Sequence, residues 1–111
     1  MPNNFKRKVS QNVSNTFTSV GSYTVGSSTQ TTIIGLAVAN RISSQILVDV
    51  MLNVGTTSNT YLIKDAPVPS GGTIVVVGGD QKVVLETNDR ILVKSDTANS
   101  ADVIMSILEI T

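Results

Sequence analysis

The chain contains no cysteine, no histidine and no tryptophan among its 111 residues. Without cysteine it cannot carry a disulfide framework, and without cysteine or histidine it lacks the usual ligands of a zinc, haem or iron–sulfur site. A Ser-His-Asp or Cys-His catalytic arrangement also requires histidine. We therefore predict that the chain is not an enzyme, that it needs no cofactor, and that it has no catalytic, cofactor-binding or metal-binding residues.

Charge and long apolar runs are scarce as well. Charged residues make up 14% of the chain, and its 8 basic and 8 acidic residues cancel. No apolar run approaches the roughly 18 residues that a membrane-spanning helix needs. The N-terminal segment is polar apart from its cations and has no apolar region of the kind found in secretory signals. We expect a soluble protein, without a membrane partner, that acts in the compartment where it is made.

The residues that are abundant favour β-structure. Val, Ile and Thr together account for 39 of the 111 residues, and β-branched side chains fit a pleated, half-buried surface better than a helix. Apolar residues alternate along short segments separated by turn residues, which is typical of a sandwich or barrel. The predicted strands cover residues 22–25, 30–40, 45–54, 60–64, 73–77, 81–85, 90–95 and 101–110. Because no connection can hide a crossover helix, we predict an all-β, antiparallel β-sandwich of about eight strands, jelly-roll-like.

The composition changes near residue 19. Residues 1–19 hold three cations and no acid, whereas residues 20–111 have a net charge of −3. We predict an extended basic and polar N-terminal arm over 1–19 and a β-sandwich domain over 20–111 that folds without it. The arm residues offered for contact with a partner are Phe5, Lys6, Arg7, Lys8, Val9, Val13 and Phe17. A frayed terminus and one or two helical turns remain alternatives, while three adjacent cations without interleaved aromatics do not predict nucleic-acid binding.

Some strands carry apolar residues on both faces, which points towards association. Leu47 and Met51 lie on the predicted outer face of residues 45–54, and Leu92 lies between two cations on residues 90–95. Val84 is a further candidate, and the last strand is apolar on both sides. Such residues would form a patch larger than most monomers expose. We predict a homo-oligomer with Leu47, Met51 and Leu92 at its interface; the alternative is that the arm or the Pro-rich loop covers these strands.

Two kinds of ligand, a calcium ion and a sugar, are the chemical alternatives. Glu86 and Asp89 share one predicted turn, but the surrounding residues do not form the spaced acidic run of a calcium loop, so turn capping explains them better. Carbohydrate binding usually relies on aromatic rings, and this chain has only Phe5, Phe17, Tyr23 and Tyr61. A sugar-binding role, as in an adhesion module, is therefore the less favoured hypothesis.

Six segments resemble small virion proteins of tailed bacteriophages, of a type common among phages of cyanobacteria and other marine bacteria. The segments are residues 20–25, 31–40, 46–50, 61–72, 82–86 and 106–111. The resemblance covers roughly residues 20–111 and concerns the order of strands and turns. It implies a structural protein of the virion, made in the host cytoplasm, with the major capsid protein or another virion protein as its partner. It favours a capsid decoration, or cement, protein that sits as a trimer on the outer lattice; a tail, neck or baseplate component is the alternative.

Overall fold

The computed structural model describes residues 3–54, 58–78 and 82–111. Two antiparallel sheets pack face to face, and a single turn of 3-10 helix at Val20–Ser22 is their main irregular insertion. The strands are β1 (Asn3–Val13), β2 (Thr18–Ser19), β3 (Gln30–Asn40), β4 (Ile46–Val54), β5 (Ser58–Val68), β6 (Thr73–Val77), β7 (Val83–Leu85), β8 (Arg90–Ser95) and β9 (Ala101–Ile110). The predicted all-β antiparallel sandwich is confirmed.

The strand order is that of a jelly roll. One sheet has the order β1-β9-β3-β6, with β7 also paired to β3, and the other has the order β2-β8-β4-β5. β6 and β7 both pair with β3 and can be counted together as one strand. The first strand then pairs with the last and the second with the second last, followed by β3 with β6 and β7, and by β4 with β5. This pattern arises when one long hairpin wraps around a barrel, so that successive strand pairs lie in alternate sheets.

Turn residues set most strand boundaries where the sequence predicts them. β3, β6, β8 and β9 have the predicted bounds. β5 is longer than expected and continues through Pro67, which the edge position of this strand permits because no further strand needs its missing N–H. The strand predicted over 22–25 does not form, since its first residue belongs to the 3-10 turn. The connection between the strands predicted over 73–77 and 81–85 lies partly outside the described residues, as does the first residue of the second of these strands.

The core fills the space between the two sheets. β9 alternates cleanly, with Val103, Met105 and Ile107 at most 2% exposed. On β3, strict alternation would put Ile34, Leu36 and Val38 on one face, but the register against β9 shifts between Ile33 and Gly35. A β-bulge there turns Ile33 inwards instead, because one extra residue reverses the alternation.

No helix of the described chain is long and apolar enough to cross a membrane.

The structure differs from the predicted separation of an arm and a body at residue 19. Residues 3–13 form β1, which pairs with β9 from Asn3 opposite Ile110 to Val13 opposite Ala101. The backbone of β9 would otherwise present an open edge, and a polar segment can close it because the ladder needs only main-chain groups. The sandwich therefore begins at β1, not at residue 20.

Candidate association surface

The outer face of the five-stranded sheet carries most of the exposed apolar side chains. Of the eight large apolar residues that are exposed in the described chain, five lie here: Phe5, Val9, Val75, Val84 and Ile104. We call these five residues the apolar face. They share one side because their neighbours along each strand point into the core or towards it, as the alternation of β-strands requires. Val75 is 66% exposed and Phe5 is 75% exposed.

The strand registers arrange this surface in rows. Val9 lies opposite Ile104, Ile104 opposite Ala37, and Ala37 opposite Val75. These four residues form what we call the central row, which crosses β1, β9, β3 and β6. Side chains opposite one another on adjacent strands lie about 5 Å apart. The central row is therefore a continuous apolar stripe across the sheet, with no charged residue in it.

A hollow opens beside the central row. Its volume is about 330 Å³, and Val9, Ala37, Ala39, Thr73, Asp102 and Ile104 are among its lining residues. Alanine side chains form its floor because they end at Cβ, whereas the larger side chains on the flanking strands form its walls. A hollow of this shape can accept an aliphatic side chain from a partner.

Two opposite charges flank the central row. Arg7 lies in the row on one side, where its strand neighbour on β9 is Ser106, and Asp102 lies in the row on the other side, opposite Ala39. The Asp102 carboxylate accepts hydrogen bonds from Arg41 Nη1 at 3.0 Å and from the Asn12 backbone N–H at 3.1 Å. Arg7 forms no ion pair with any described residue.

The structure divides the seven predicted arm-contact residues among different environments. Phe5, Arg7 and Val9 point outwards on the sheet, and Val13 is buried at 2% exposure. Lys6 and Lys8 point inwards: Lys6 Nζ lies 2.9 Å from Glu109 Oε1, and Lys8 Nζ lies 5.2 Å from the centre of the Tyr23 ring. Phe17 lies beyond β1, with Lys94 Nζ 5.0 Å above its ring. The seven residues therefore do not form one contact surface.

A buried polar cluster holds β1 against the sandwich. The Tyr23 hydroxyl donates to Glu109 Oε2 at 2.6 Å and shares a 2.7 Å hydrogen bond with Thr31 Oγ1. Burial, and then the hydrogen bond to the Glu109 carboxylate, raise the pKa of Tyr23 to about 12 from 10.0. The hydrogen bond from Lys6, followed by that from Tyr23, lowers the pKa of Glu109 below its usual value. The cluster is thus built for an ionised Glu109 and a neutral Tyr23.

The stability of the chain is expected to fall as the pH rises from about 10 to 12. Since the pKa of Tyr23 is about 12 when folded and 10.0 in the reference state, its contribution is complete below pH 10 and is lost as the pH rises through 12. Glu109 acts in the opposite direction: its contribution is present above its ordinary pKa and disappears as the pH falls through the lowered value. Urea unfolding midpoints across both ranges measure the two effects.

The Tyr23→Phe variant is the control for this pH dependence. It keeps the ring beneath Lys8 but has no hydroxyl to titrate, so its unfolding midpoint should decline less between pH 10 and 12 than that of the parent chain. Parallel declines of the two proteins in that range would contradict the assignment to Tyr23. The two proteins are otherwise identical, so contributions from the rest of the chain cancel in the comparison.

The residues predicted for the oligomer face do not form an exposed patch. Met51 and Leu92 lie opposite each other on the outer side of the four-stranded sheet, but they are only 6% and 8% exposed. Leu47 is 36% exposed. Nearby, the Asp49 carboxylate accepts the Asp65 backbone N–H at 2.6 Å and lies 3.5 Å from Lys94 Nζ. The alternation that placed these residues on the outer side was correct, but it did not reveal how much of each side chain is covered.

The remaining chemical candidates have structural roles. Asp89 Oδ2 accepts the Glu86 backbone N–H at 2.9 Å, so this carboxylate caps its own turn. Within residues 3–54, 58–78 and 82–111, no three acidic side chains are placed to hold a metal ion. Tyr61 is 44% exposed, but Tyr23 is only 8% exposed and its hydroxyl donates a hydrogen bond to Glu109. The two tyrosines therefore cannot together stack on a sugar.

Comparisons with known proteins extend the fold assignment. No protein-family model matches the chain, and no curated protein matches it either. Its fold is similar to that of a solved structure described by the words "Bacillus endospore appendages form a novel family of disulfide-linked pili", with a TM-score of 0.54 and 12% sequence identity. The similarity covers 98% of this chain and 88% of that one. At this identity the likeness concerns the fold alone.

Proposed function

We propose that this chain is a non-enzymatic structural protein that works by associating with other proteins through its apolar face. The observation that carries the proposal is the central row, an apolar stripe across four strands in which Val9, Val75 and Ile104 are exposed. Contiguous exposed apolar surface of this kind marks interaction sites, since water disfavours it. A rigid sandwich with such a face is suited to joining an assembly.

The assembly that we propose is a bacteriophage virion, with the chain as a capsid decoration protein that stabilises the head. The support is the resemblance of residues 20–111 to small phage virion proteins, together with a jelly-roll order that also occurs in viral capsid proteins. A protein that binds only the assembled lattice stabilises it by mass action. A tail, neck or baseplate position within the same virion is the alternative.

A surface filament is the second candidate, and the fold similarity to the endospore appendage structure favours it. The pili of that structure are described as disulfide-linked. This chain has no cysteine, so a filament built from it would depend on non-covalent contacts. The apolar face would then have to supply much of the binding between subunits.

Antibody labelling of particles distinguishes these locations. Virions purified from the source lysate and their separated heads and tails are labelled with antibody against the chain. Label on intact heads supports decoration, and label confined to tails supports the alternative position. Absence of the chain from purified virions would overturn the virion proposal, and label on cell-surface filaments would favour the second candidate.

The double variant Val75→Lys, Ile104→Lys is expected to reduce incorporation into the assembly at least tenfold. Each substitution puts a charge into the central row, where an interface would have to desolvate it. Both side chains are about half exposed or more, so folding stability should change by less than about 1 kcal/mol. Quantitative blotting of purified assemblies measures incorporation, and urea unfolding checks the fold.

Leu47→Lys provides the control because it replaces an apolar residue by lysine on the other sheet, at a position 36% exposed. It should leave incorporation unchanged. The reverse pattern, in which Leu47→Lys prevents incorporation and the double variant does not, would contradict the role of the apolar face. It would favour the surface around Leu47 that the sequence predicts.

A further inference from the structure

The charges and apolar residues on the outer face of the five-stranded sheet have an order that suits contact with an identical surface. Three successive rows run across the strands. The first contains Arg7, the central row contains Val9 and Ile104, and the third contains Asp102. Rows that share a face are about 7 Å apart, because two residues separate them along a strand. Within these three rows, one cation and one anion thus lie at equal distances on either side of an apolar stripe, and the anion, Asp102, also forms an exposed ion pair with Arg41 at 3.0 Å.

A two-fold axis along the central row would map this surface onto itself. It places the central row of one copy on that of the other and exchanges the two flanking rows. Arg7 of each copy then faces the row that contains Asp102 of the other, one strand to the side. Two sheets stack about 10 Å apart, so the Cα atoms of Arg7 and Asp102 would lie about 11 Å from each other. An arginine and an aspartate side chain together bridge that gap.

From this order we infer that the partner at the apolar face is a second copy of the chain, docked sheet to sheet about a two-fold axis that follows the central row. The inference rests on the proposed function only in taking the apolar face as an association surface. Strands of the two copies run nearly antiparallel in this arrangement, which is the aligned mode of sheet packing. The interface is isologous, so each favourable contact occurs twice.

The area of the face is consistent with a dimer of modest affinity. Four strands at about 4.8 Å spacing and ten residues of about 3.3 Å give on the order of 600 Å² per copy. Standard interfaces bury roughly 800 Å² per partner. The hollow over Ala37 and Ala39 adds complementarity, since it can accept aliphatic side chains from the opposing central row. The two Arg7–Asp102 pairs fix the alignment of the copies.

A charge exchange tests the alignment directly. Arg7→Asp and Asp102→Arg, each alone, bring like charges together twice across the two-fold interface, so each should raise the dimer dissociation constant at least tenfold. The double variant restores opposite charges and should return within about threefold of the parent chain. Sedimentation equilibrium measures all four proteins. Asp102→Arg removes the hydrogen bond to Arg41 in the single variant and in the double variant alike. That bond therefore cannot explain a recovery of the dissociation constant in the double variant.

Lys64→Asp is the charge-matched control, since Lys64 lies on β5 in the other sheet and its ion pair with Asp65 is exposed. It makes the same change in net charge as Arg7→Asp and should leave the dissociation constant unchanged. A parent chain that sediments as a monomer or a trimer would overturn the inference. A double variant that dimerises as weakly as the two single variants would also overturn it.

Cross-linking tests the position of the axis. Because the chain has no cysteine of its own, only the introduced cysteine can react. Ile104→Cys lies near the axis, so the two copies of this residue face each other at about 10 Å and should be joined by a bis-maleimide of that length. Phe5→Cys is four residues along β1 from the central row, which separates its two copies by more than about 25 Å. Phe5 is more exposed than Ile104, at 75% against 47%, so Phe5→Cys is accessible to the reagent but should not cross-link. Equal yields for the two variants would overturn the proposed axis.

These measurements separate the dimer from the proposed function. If the chain is a monomer in solution but its incorporation into particles still depends on Val75 and Ile104, the dimer is overturned. The proposed structural role then stands, with a different protein bound at the apolar face. A dimer with the expected charge behaviour that is missing from virions supports the inference and removes the virion proposal. The trimer implied by the sequence resemblance has its own mass and is distinguished in the same experiment.

Discussion

A chain lacking residues 1–13 is expected to lose most of its folding stability. The truncation removes the whole of β1, and with it the main-chain ladder from Asn3 opposite Ile110 to Val13 opposite Ala101. It also removes Val13 from the core and Lys6 from its 2.9 Å ion pair with Glu109. A deeply buried aliphatic residue alone contributes about 1.5–3 kcal/mol, and the exposed edge of β9 loses its partners. The total exceeds about 4 kcal/mol, a large part of the roughly 5–15 kcal/mol available to a domain.

Urea unfolding followed by far-ultraviolet circular dichroism measures this loss. The control is the double variant Lys6→Ala, Lys8→Ala, which keeps the strand and its ladder while removing the inward-facing cations. Since these contacts are partly solvated, the control should lose no more than about 1–2 kcal/mol. A truncated chain with the cooperative transition and midpoint of the parent would show that residues 1–13 are a dispensable arm, as the sequence predicts.

Asn40→Ala is expected to destabilise the chain by about 3 kcal/mol, since three backbone groups lose their partner at about 1 kcal/mol or more each. The Asn40 side chain is buried, with 4% exposure. Its amide nitrogen donates to the carbonyls of Ser44 at 2.7 Å and Val68 at 3.0 Å, and its oxygen accepts from Ile42 N–H at 2.9 Å. Alanine removes all three of these hydrogen bonds. The variant should therefore unfold at a clearly lower urea concentration.

Asn40→Asp separates hydrogen bonding from volume. It keeps the size of the side chain and the acceptor for Ile42, but turns a carboxylate oxygen towards two carbonyls. We expect it to lose at least as much stability as the alanine variant near pH 7. The exposed Asn59→Ala removes a single side-chain hydrogen bond and should cost less than about 1 kcal/mol. If both substitutions at position 40 matched Asn59→Ala, the buried amide would not be holding the β3–β4 connection to β5.

The strands that the sequence predicts well are those whose own side chains decide their position. β9 has alternating apolar residues that must face the core, and turn residues precede it, so its bounds follow from local information. β1 has no such signal. Its inward side chains are Lys6 and Lys8, whose partners Glu109 and Tyr23 lie far away in the sequence. The strand exists because β9 offers an edge, which only the assembled fold reveals.

The candidate surface shows the same limit. The sequence indicates that β9 is apolar on both faces, and the exposed Ile104 belongs to the outer one. It also places Met51 and Leu92 on an outer face, correctly, yet both are nearly covered there. Alternation identifies which side of a sheet a residue faces. The exposure of that side depends on distant segments, so the association surface could be located only once both sheets were in place.

The pairing of β1 with β9 has a consequence for synthesis. A ribosome makes β1 first, but the partner residues of β1 around Ile110 are made only after β2 to β8. The closure of such a long loop is slow, and chains with many distant pairings fold late. Since β9 also forms the middle of the central row, a nascent chain has no apolar face until β9 has been made. We therefore expect neighbouring nascent chains to be unable to associate through this face before β9 is in place.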